Sequence, residues 1–373
     1  MKIAVYGATG YQAGLVLAEL VRRGAPVVLV GRDGERLART AARLAAVPAA
    51  AGPAARPGGP SDAPGPSEDG GIEVRVADAA DHAALTAAFD GCAAVINCAG
   101  PFTVSGGTVA DAAVSAGCHY VDTSGEQLHI KRVFDTLGAR AERAGVGVVP
   151  AATDGCVPVD LLARLLAERL AEPVEEIFSV HRITGGGTPS RGSLRSALAS
   201  LKVIGSGGLA YRDGDWRSGA PARRTSVRLP GDAAPVPVVR FPLPEVVTIP
   251  RHVNVRCVEG LAEATLTARL STPLPPETID ALPAGPAEED RRAQRFTYVV
   301  EAAGVTGRML RGVIRGRDTY GTTAVIAVEA ARRLVADPPG PGVLVPAQAF
   351  DPADFLASLV PHGVDWTIGP ADG

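Results

Sequence analysis

Residues 2–14, Lys-Ile-Ala-Val-Tyr-Gly-Ala-Thr-Gly-Tyr-Gln-Ala-Gly, constrain the fold more than any other stretch of this chain. The apolar run Ile3 to Val5 leads straight into Gly7 and Gly10, and a helical apolar pattern follows at Leu15, Val16, Leu17, Leu20 and Val21. A strand, a glycine turn and a helix in direct succession open a dinucleotide-binding α/β domain. Gly7 permits the tight turn, Gly10 lets the backbone approach a pyrophosphate, and Ala13 is small enough for helix and strand to pack closely. The first helical N–H groups then face the phosphates, with the helix dipole favouring negative charge. Thr9, Tyr11 and Gln12 belong to the same turn and are expected at the cofactor.

The alternation continues. A second strand at 26–30 ends in Gly31-Arg32-Asp33, and a helical pattern covers 34–46. Residues 47–71 are dominated by Ala, Pro and Gly, a composition with too little apolar surface to offset its ordering entropy, and are read as a flexible surface insertion. Strands follow at 72–76, 93–97, 120–122 and 146–149, with helices near 80–90, 105–116 and 127–143 between them. This is the pattern of a doubly wound parallel sheet, whose ligands bind at the carboxyl ends of the strands. Those ends are Gly7–Gly10, Arg32, Asp78, Cys98–Phe102, Asp122–Glu126 and Thr153–Gly155.

After a helix at 158–171 the pattern changes. Residues 174–184 and 237–270 alternate like strands of an antiparallel sheet, with a helix near 191–204 between them. Residues 211–216 read as a hairpin turning at Asp213-Gly214, and 295–302 with 309–316 as a closing hairpin. A helix at 320–336 and the segment 342–350 resemble one more α/β unit. The expected architecture is therefore α/β, a Rossmann doubly wound sheet with an inserted α+β domain. The first domain takes 1–157 and 318–373, and the substrate or dimerisation domain takes 158–317.

Composition narrows the function. Apolar residues make up 46% and charged residues 21%, as in globular proteins. A net charge of −3 gives no reason to expect nucleic acid or an anionic membrane as partner. No apolar run reaches the roughly 20 residues of a spanning helix, and the chain moves directly into a strand, so the cytoplasm is the expected compartment. Five cysteines without a C-x-x-C pair argue against a disulfide framework or a zinc site, and no metal is expected.

Arg32 stands where an NAD-binding domain usually carries a carboxylate for the ribose 2′-hydroxyl. An arginine there suits a 2′-phosphate through charge-assisted bonds and favours NADPH over NADH. Asp78 ends the third strand. Cys98, Ala99, Gly100, Pro101 and Phe102 form a tight turn that can pass over the nicotinamide ribose. Tyr120, Asp122 and Glu126 bring protic groups to one strand end, and Asp154 does so at the next, which makes these four the catalytic candidates. Capping of the following helix is the competing role for Asp122. His181 and His252 fall in apparent strands and read as packed or exposed.

Taken in order, Gly-Ala-Thr-Gly-Tyr-Gln-Ala-Gly (7–14), Val-Gly-Arg-Asp (30–33), Asn-Cys-Ala-Gly-Pro-Phe (97–102), His-Tyr-Val-Asp-Thr-Ser-Gly-Glu (119–126) and Asp-Gly-Cys-Val-Pro-Val-Asp (154–160) resemble the saccharopine dehydrogenase-like oxidoreductases. Thr248-Ile-Pro-Arg-His252, Tyr320-Gly-Thr-Thr323 and Gly342-Val-Leu-Val-Pro-Ala-Gln348 are similar to bacterial members, whereas Thr153-Asp154-Gly155 stands where close bacterial relatives carry Gly-Phe-Asp. The resemblance implies a nicotinamide cofactor with its phosphates over Gly7–Gly10 and an inserted substrate domain. It also implies a reductase acting on a small-molecule or carrier-bound intermediate, at a polarised C=C or C=N, with a homodimer as one possible assembly. A saccharopine-type amino-acid imine reductase is an alternative, for which Arg182, Arg191 and Arg195 are the available cations. A non-catalytic NADP(H)-sensing protein is the other.

Overall fold

The computed structural model describes residues 1–46, 71–271 and 273–371; of the insertion expected at 47–71, all but Gly71 lies outside the described residues. The first sheet holds β1 (Lys2–Tyr6), β2 (Val27–Gly31), β3 (Ile72–Val76), β4 (Cys92–Asn97), β5 (His119–Asp122) and β6 (Gly147–Val149), and a seventh strand, Gly342–Val343, returns from the far end of the chain. Every pairing is parallel, and the order is seventh strand, β6, β5, β4, β1, β2, β3. The order reverses between β1 and β4, the point at which such sheets open a ligand crevice.

The helices between them are α1 (Tyr11–Arg22), α2 (Gly34–Ala45), α3 (His82–Phe89), α4 (Phe102–Ser115), α5 (Gln127–Ala144) and α6 (Val157–Leu170). All five residues of β2 are buried, because helices cover both faces of the sheet. Ile3, Val5 and Leu29 join Leu17 and Leu20 of α1 in one core. Ala4, Val28 and Val30 point the other way, to Phe89 and Val109. Asp33 and Asp81 start α2 and α3 by accepting backbone N–H bonds from Arg36 and Ala84.

The inserted region is built on β7 (Val174–Thr184), β8 (Leu209–Arg212), β9 (Asp215–Ser218), β10 (Ser226–Val227), β11 (Val236–Arg240), β12 (Val255–Glu263), β13 (Arg295–Gly304) and β14 (Met309–Arg317). Its helices are α7 (Arg191–Ala199), α8 (Leu201–Gly205), α9 (Glu245–Thr248), α10 (Ala264–Ser271), α11 (Pro276–Ala281) and α12 (Glu288–Ala293). Three expectations are corrected here. The sheet is mixed rather than antiparallel, since β12 pairs with β7 in parallel, and residues 185–254 supply the long crossover that this requires. The alternation at 264–270 is not a strand but α10: Ala264, Leu266, Ala268, Arg269 and Leu270 are strong helix formers, and the ladder to β11 ends at Glu263. The helix expected at 191–204 is two helices, broken at Ser200. The hairpin turn at Asp213-Gly214 is present, with φ of +50° and +91°, the left-handed pair that a two-residue turn requires.

From β14 the chain returns through α13 (Thr319–Ala336), which packs on α1, β4 and β5, then through β15, the seventh strand already described. It crosses back once more, and β16 (Asp365–Pro370) pairs with β14 in the second sheet. The two sheets therefore share one core. Val5, Leu17, Leu162, Val258, Tyr298 and Ile314 belong to a single buried cluster, with α6 packed on β13 and β14 between the sheets. No helix among the described residues is long and apolar enough to cross a membrane.

Leu162→Ala removes a fully buried side chain from that shared layer. The expected loss is about 2–5 kcal/mol of unfolding free energy, with no second unfolding transition. Chemical denaturation checks it, and a loss below about 1 kcal/mol would mean that α6 does not join the two sheets.

Candidate functional site

A cleft of about 960 Å³ opens over the carboxyl ends of the first sheet and is walled on the far side by β7, β13, α7 and α13. Gly7, Thr9, Gly10, Tyr11 and Gln12 line one end. Gly7 has φ +75°, and a Cβ there would sit 2.8 Å from Ala99 Cβ, so only glycine lets the first turn meet the loop after β4. No side chain caps α1, which leaves its first N–H groups open to an anion from the cleft. Tyr11 and Gln12 use their side chains elsewhere: the Tyr11 hydroxyl donates to Pro286 O at 2.9 Å and Gln12 Nε2 to Tyr320 O at 3.1 Å. The first bond ties the turn to the inserted region and the second ties it to the returning α13.

Arg32 and Arg36 stand exposed at the same end, and neither meets a carboxylate within salt-bridge distance among the described residues. Asp33 is spent on capping α2, where its Oδ1 accepts from Arg36 N at 3.0 Å. The open helix end and the two unpaired guanidiniums fit a dinucleotide that carries a third phosphate. Asp78 does not line the cleft; its Oδ1 accepts from Ala80 N at 2.9 Å and caps the turn before α3.

Cys98, Ala99, Gly100 and Phe102 line the middle of the cleft, whereas Pro101 does not. Burial pushes the Cys98 thiol up to about 12, so it stays protonated at neutral pH and offers no thiolate. Glu126 closes this stretch from behind. Its carboxylate accepts from the N–H groups of Phe102 at 2.9 Å and Thr103 at 2.7 Å, and so caps α4.

Tyr120 and Asp122 lie beneath the cleft, fully buried, and do not line it. Asp122 Oδ1 accepts from Ser124 N at 3.1 Å and Ala151 N at 2.9 Å. Its Oδ2 accepts from the Tyr120 hydroxyl at 3.1 Å and lies 2.8 Å from His129 Nε2. Asn97 joins the network by donating to the Tyr120 oxygen at 3.1 Å, while its own Oδ1 accepts from Ala99 N at 3.0 Å. Burial and the neighbouring Asp122 raise the Tyr120 hydroxyl well above its ordinary range. The network ties the ends of β4, β5 and β6 together, and Ala151, a non-glycine residue at φ +61°, is held by it.

Asp154 does face the cleft. Its Oδ2 accepts from the Tyr298 hydroxyl and its Oδ1 from Thr323 Oγ1 at 2.9 Å, while its own N–H donates to that Oγ1 at 3.0 Å. Burial raises its carboxyl above the usual carboxylate range, although the two hydroxyls and nearby His181 pull the other way. Tyr298 is stacked between Phe296, at 4.8 Å, and His181, at 4.0 Å. His181, Tyr298 and Thr323 all line the cleft, and the sequence alone does not single them out as a group. The signal that was present is the alternation Phe296, Tyr298, Val300 on β13, which turns Tyr298 to the buried face.

The far wall carries little free charge. Arg182 is outside the cleft, bonded to Asp232 at 2.9 and 2.7 Å and to Glu263 at 2.7 Å. Arg191 and Arg195 line it, but both turn to Asp280, through its carbonyl and its carboxylate. Phe241, Leu243, Val203, Ile204 and Leu266 supply an apolar stretch. α7, with no buried residue, forms the roof; Ser190 caps it, and the Tyr320 hydroxyl accepts from Ser190 N at 2.8 Å.

Residues 3–149 match the model of the saccharopine dehydrogenase NADP binding domain. A saccharopine dehydrogenase-like oxidoreductase of Bos taurus is 25% identical over 252 residues, which is 64% of this chain and 50% of that one. A lipid droplet localized protein of Caenorhabditis elegans is 31% identical over 137 residues, 37% of this chain and 32% of that one. The chain thus spans half or less of the length of these curated relatives. The saccharopine dehydrogenase (L-Glu forming) of Saccharomyces cerevisiae has the same overall fold, with a TM-score of 0.55 at 12% identity over 99% of both chains. The matched segment, residues 3–149, is the NADP-binding Rossmann unit described above, and the family match to the saccharopine dehydrogenase-like oxidoreductases is carried by that unit.

Proposed function

We propose that this protein is an NADPH-dependent reductase that saturates a polarised C=C or C=N bond of a small-molecule or carrier-bound intermediate. One observation carries the reading: a single cleft runs from the uncapped start of α1 to a desolvated carboxyl at Asp154. When bound, the nicotinamide supplies a hydride to the electron-poor atom of that bond. The chain's own task is then to place the acceptor, keep water out and provide one proton.

Asp154 is the proton source in this reading. A carboxyl whose affinity for a proton is raised by burial is a better acid near neutral pH than an ordinary carboxylate, and Tyr298 and Thr323 stabilise the anion that remains. Glu126 and Asp122 take positioning roles: the first caps α4 and the second ties three strand ends together. The phosphates rest on Gly7–Gly10 and the start of α1, and Arg32 with Arg36 takes the 2′-phosphate. The saccharopine-type alternative requires cations for several substrate carboxylates. Arg182 is already held by two acidic side chains, and Asp280 engages both Arg191 and Arg195. Of the three, Arg191 alone keeps an uncompensated charge among the described residues, since its bond is to the main-chain carbonyl of Asp280, and a single cation favours a substrate with few carboxylates.

Arg32→Ala is expected to weaken NADPH binding about tenfold or more while changing NADH by less than about threefold, from the loss of a charge-assisted bond. Titration of nucleotide fluorescence reads this, and equal losses would remove the 2′-phosphate role.

Asp154→Asn mimics the protonated carboxyl. Because the folded state raises the carboxyl's proton affinity, wild-type Asp154 favours folding below the ordinary carboxylate range, and that contribution is lost as pH rises through its raised value. The variant should therefore be at least as stable as wild type at pH 7, yet reduce substrate about a hundredfold more slowly. Asp122→Asn puts an N–H against donors and should instead cost about 1–3 kcal/mol of stability. Denaturation curves paired with NADPH-oxidation assays separate the two, and full turnover in Asp154→Asn would return that residue to a purely structural role.

A further inference from the structure

Behind Asp154 lies an ionisable pair that the reductase reading does not use. Glu245, in α9, is completely buried; its Oε1 accepts from Ser179 Oγ at 2.6 Å, and its Oε2 has no hydrogen-bond partner. His181 Nε2 lies 2.9 Å from Glu245 Oε1, buried and outside hydrogen-bonding alignment with any group. Among the described residues no lysine or arginine reaches Glu245. A carboxylate in so dry a place needs a counter-charge, and His181 is the cation source beside it.

The opposite edge of the imidazole faces the loop that carries Asp154. A Cβ on Gly155 would sit 3.2 Å from His181 Cε1 and 3.6 Å from Nδ1, so this loop rests against the ring. Tyr298 covers one face of the imidazole at 4.0 Å and donates its own hydroxyl to Asp154. The titratable groups facing His181 are thus Glu245 from α9, Asp154 from the loop after β6 and Tyr298 from β13. One negative group sits behind the ring and one acid in front.

We infer that His181 and Glu245 hold a proton between them at the floor of the cleft and return it to Asp154 after each proton transfer to substrate. The transfer balances without a further reagent. Asp154 leaves the chemical step as a carboxylate; its oxygens bond Tyr298 and Thr323 rather than the ring, so the imidazolium gives its proton through one water in the cleft, and the neutral imidazole regains one from solvent. No electrons move in this step. The hand-over rests on the reductase reading of Asp154, whereas the stored proton does not.

The test uses the full chain labelled with ¹⁵N-histidine. Ring-nitrogen spectra at pH 7 should show His181, assigned by its loss in His181→Gln and His181→Asn, with both nitrogens protonated. Glu245→Gln should convert that ring to the neutral form. A neutral His181 ring in the wild-type protein overturns the inference whether or not any variant folds, and so does a ring left charged in Glu245→Gln. Turnover is then followed as NADPH oxidation with two probes, the crotonyl thioester of N-acetylcysteamine and 1-pyrroline. His181→Gln should lower kcat about tenfold or more and leave KM within about threefold. Unchanged kcat beside a charged wild-type ring overturns the hand-over. Wild-type protein that reduces neither probe counts against the reductase reading, while the ring spectra still decide the stored proton.

Discussion

The buried carboxylate of Asp122 is the interaction on which the mouth of the first sheet depends. Four donors converge on it, two from backbone N–H groups and two from the side chains of Tyr120 and His129. Only a group that accepts at every lone pair and donates at none can satisfy all four, which is why an aspartate occupies the position. Its charge is tolerated in a dry site because every direction is filled by a hydrogen-bond donor. The loop after β4, the end of β5 and the left-handed Ala151 after β6 are consequently held in one frame. Asp154, three residues beyond Ala151, takes its place from that frame.

The cofactor half of the molecule was legible because its signals are local. Gly7, Gly10, the continuous apolar β2 and the aspartates that start α2 and α3 each act within a few residues of themselves. The second sheet was less so. The period-two pattern at 264–270 competes there with strong intrinsic helix preference, and only the end of the β11 ladder decides between them. That β12 lies parallel to β7 is a property of the crossover and leaves no mark on either strand.

The acid end of the cleft was the least readable. Asp154 meets Tyr298 across 144 positions of chain and Thr323 across 169, so no spacing rule brings the three together. Likewise Arg182, Arg191 and Arg195 look like a supply of cations when they are counted along the sequence. In the fold Arg182 is paired with Asp232 and Glu263 and Arg195 with Asp280, while Arg191 bonds only the Asp280 carbonyl among the described residues. Asp122 does not cap the following helix: its carboxylate binds Ser124 N, three residues short of α5, and its role at three strand ends needed the fold to be seen.

One core runs through both sheets, and this bears on traffic as much as on stability. A cleft whose walls share buried side chains cannot widen by swinging one sheet away from the other without exposing Leu162, Val258 and Ile314 together. Passage in and out then falls to the roof. There α7 buries nothing and is held by a serine cap, a tyrosine hydroxyl and two arginines on Asp280. The part of the wall free to move is then a nine-residue helix with no fully buried residue, rather than the mass of either domain.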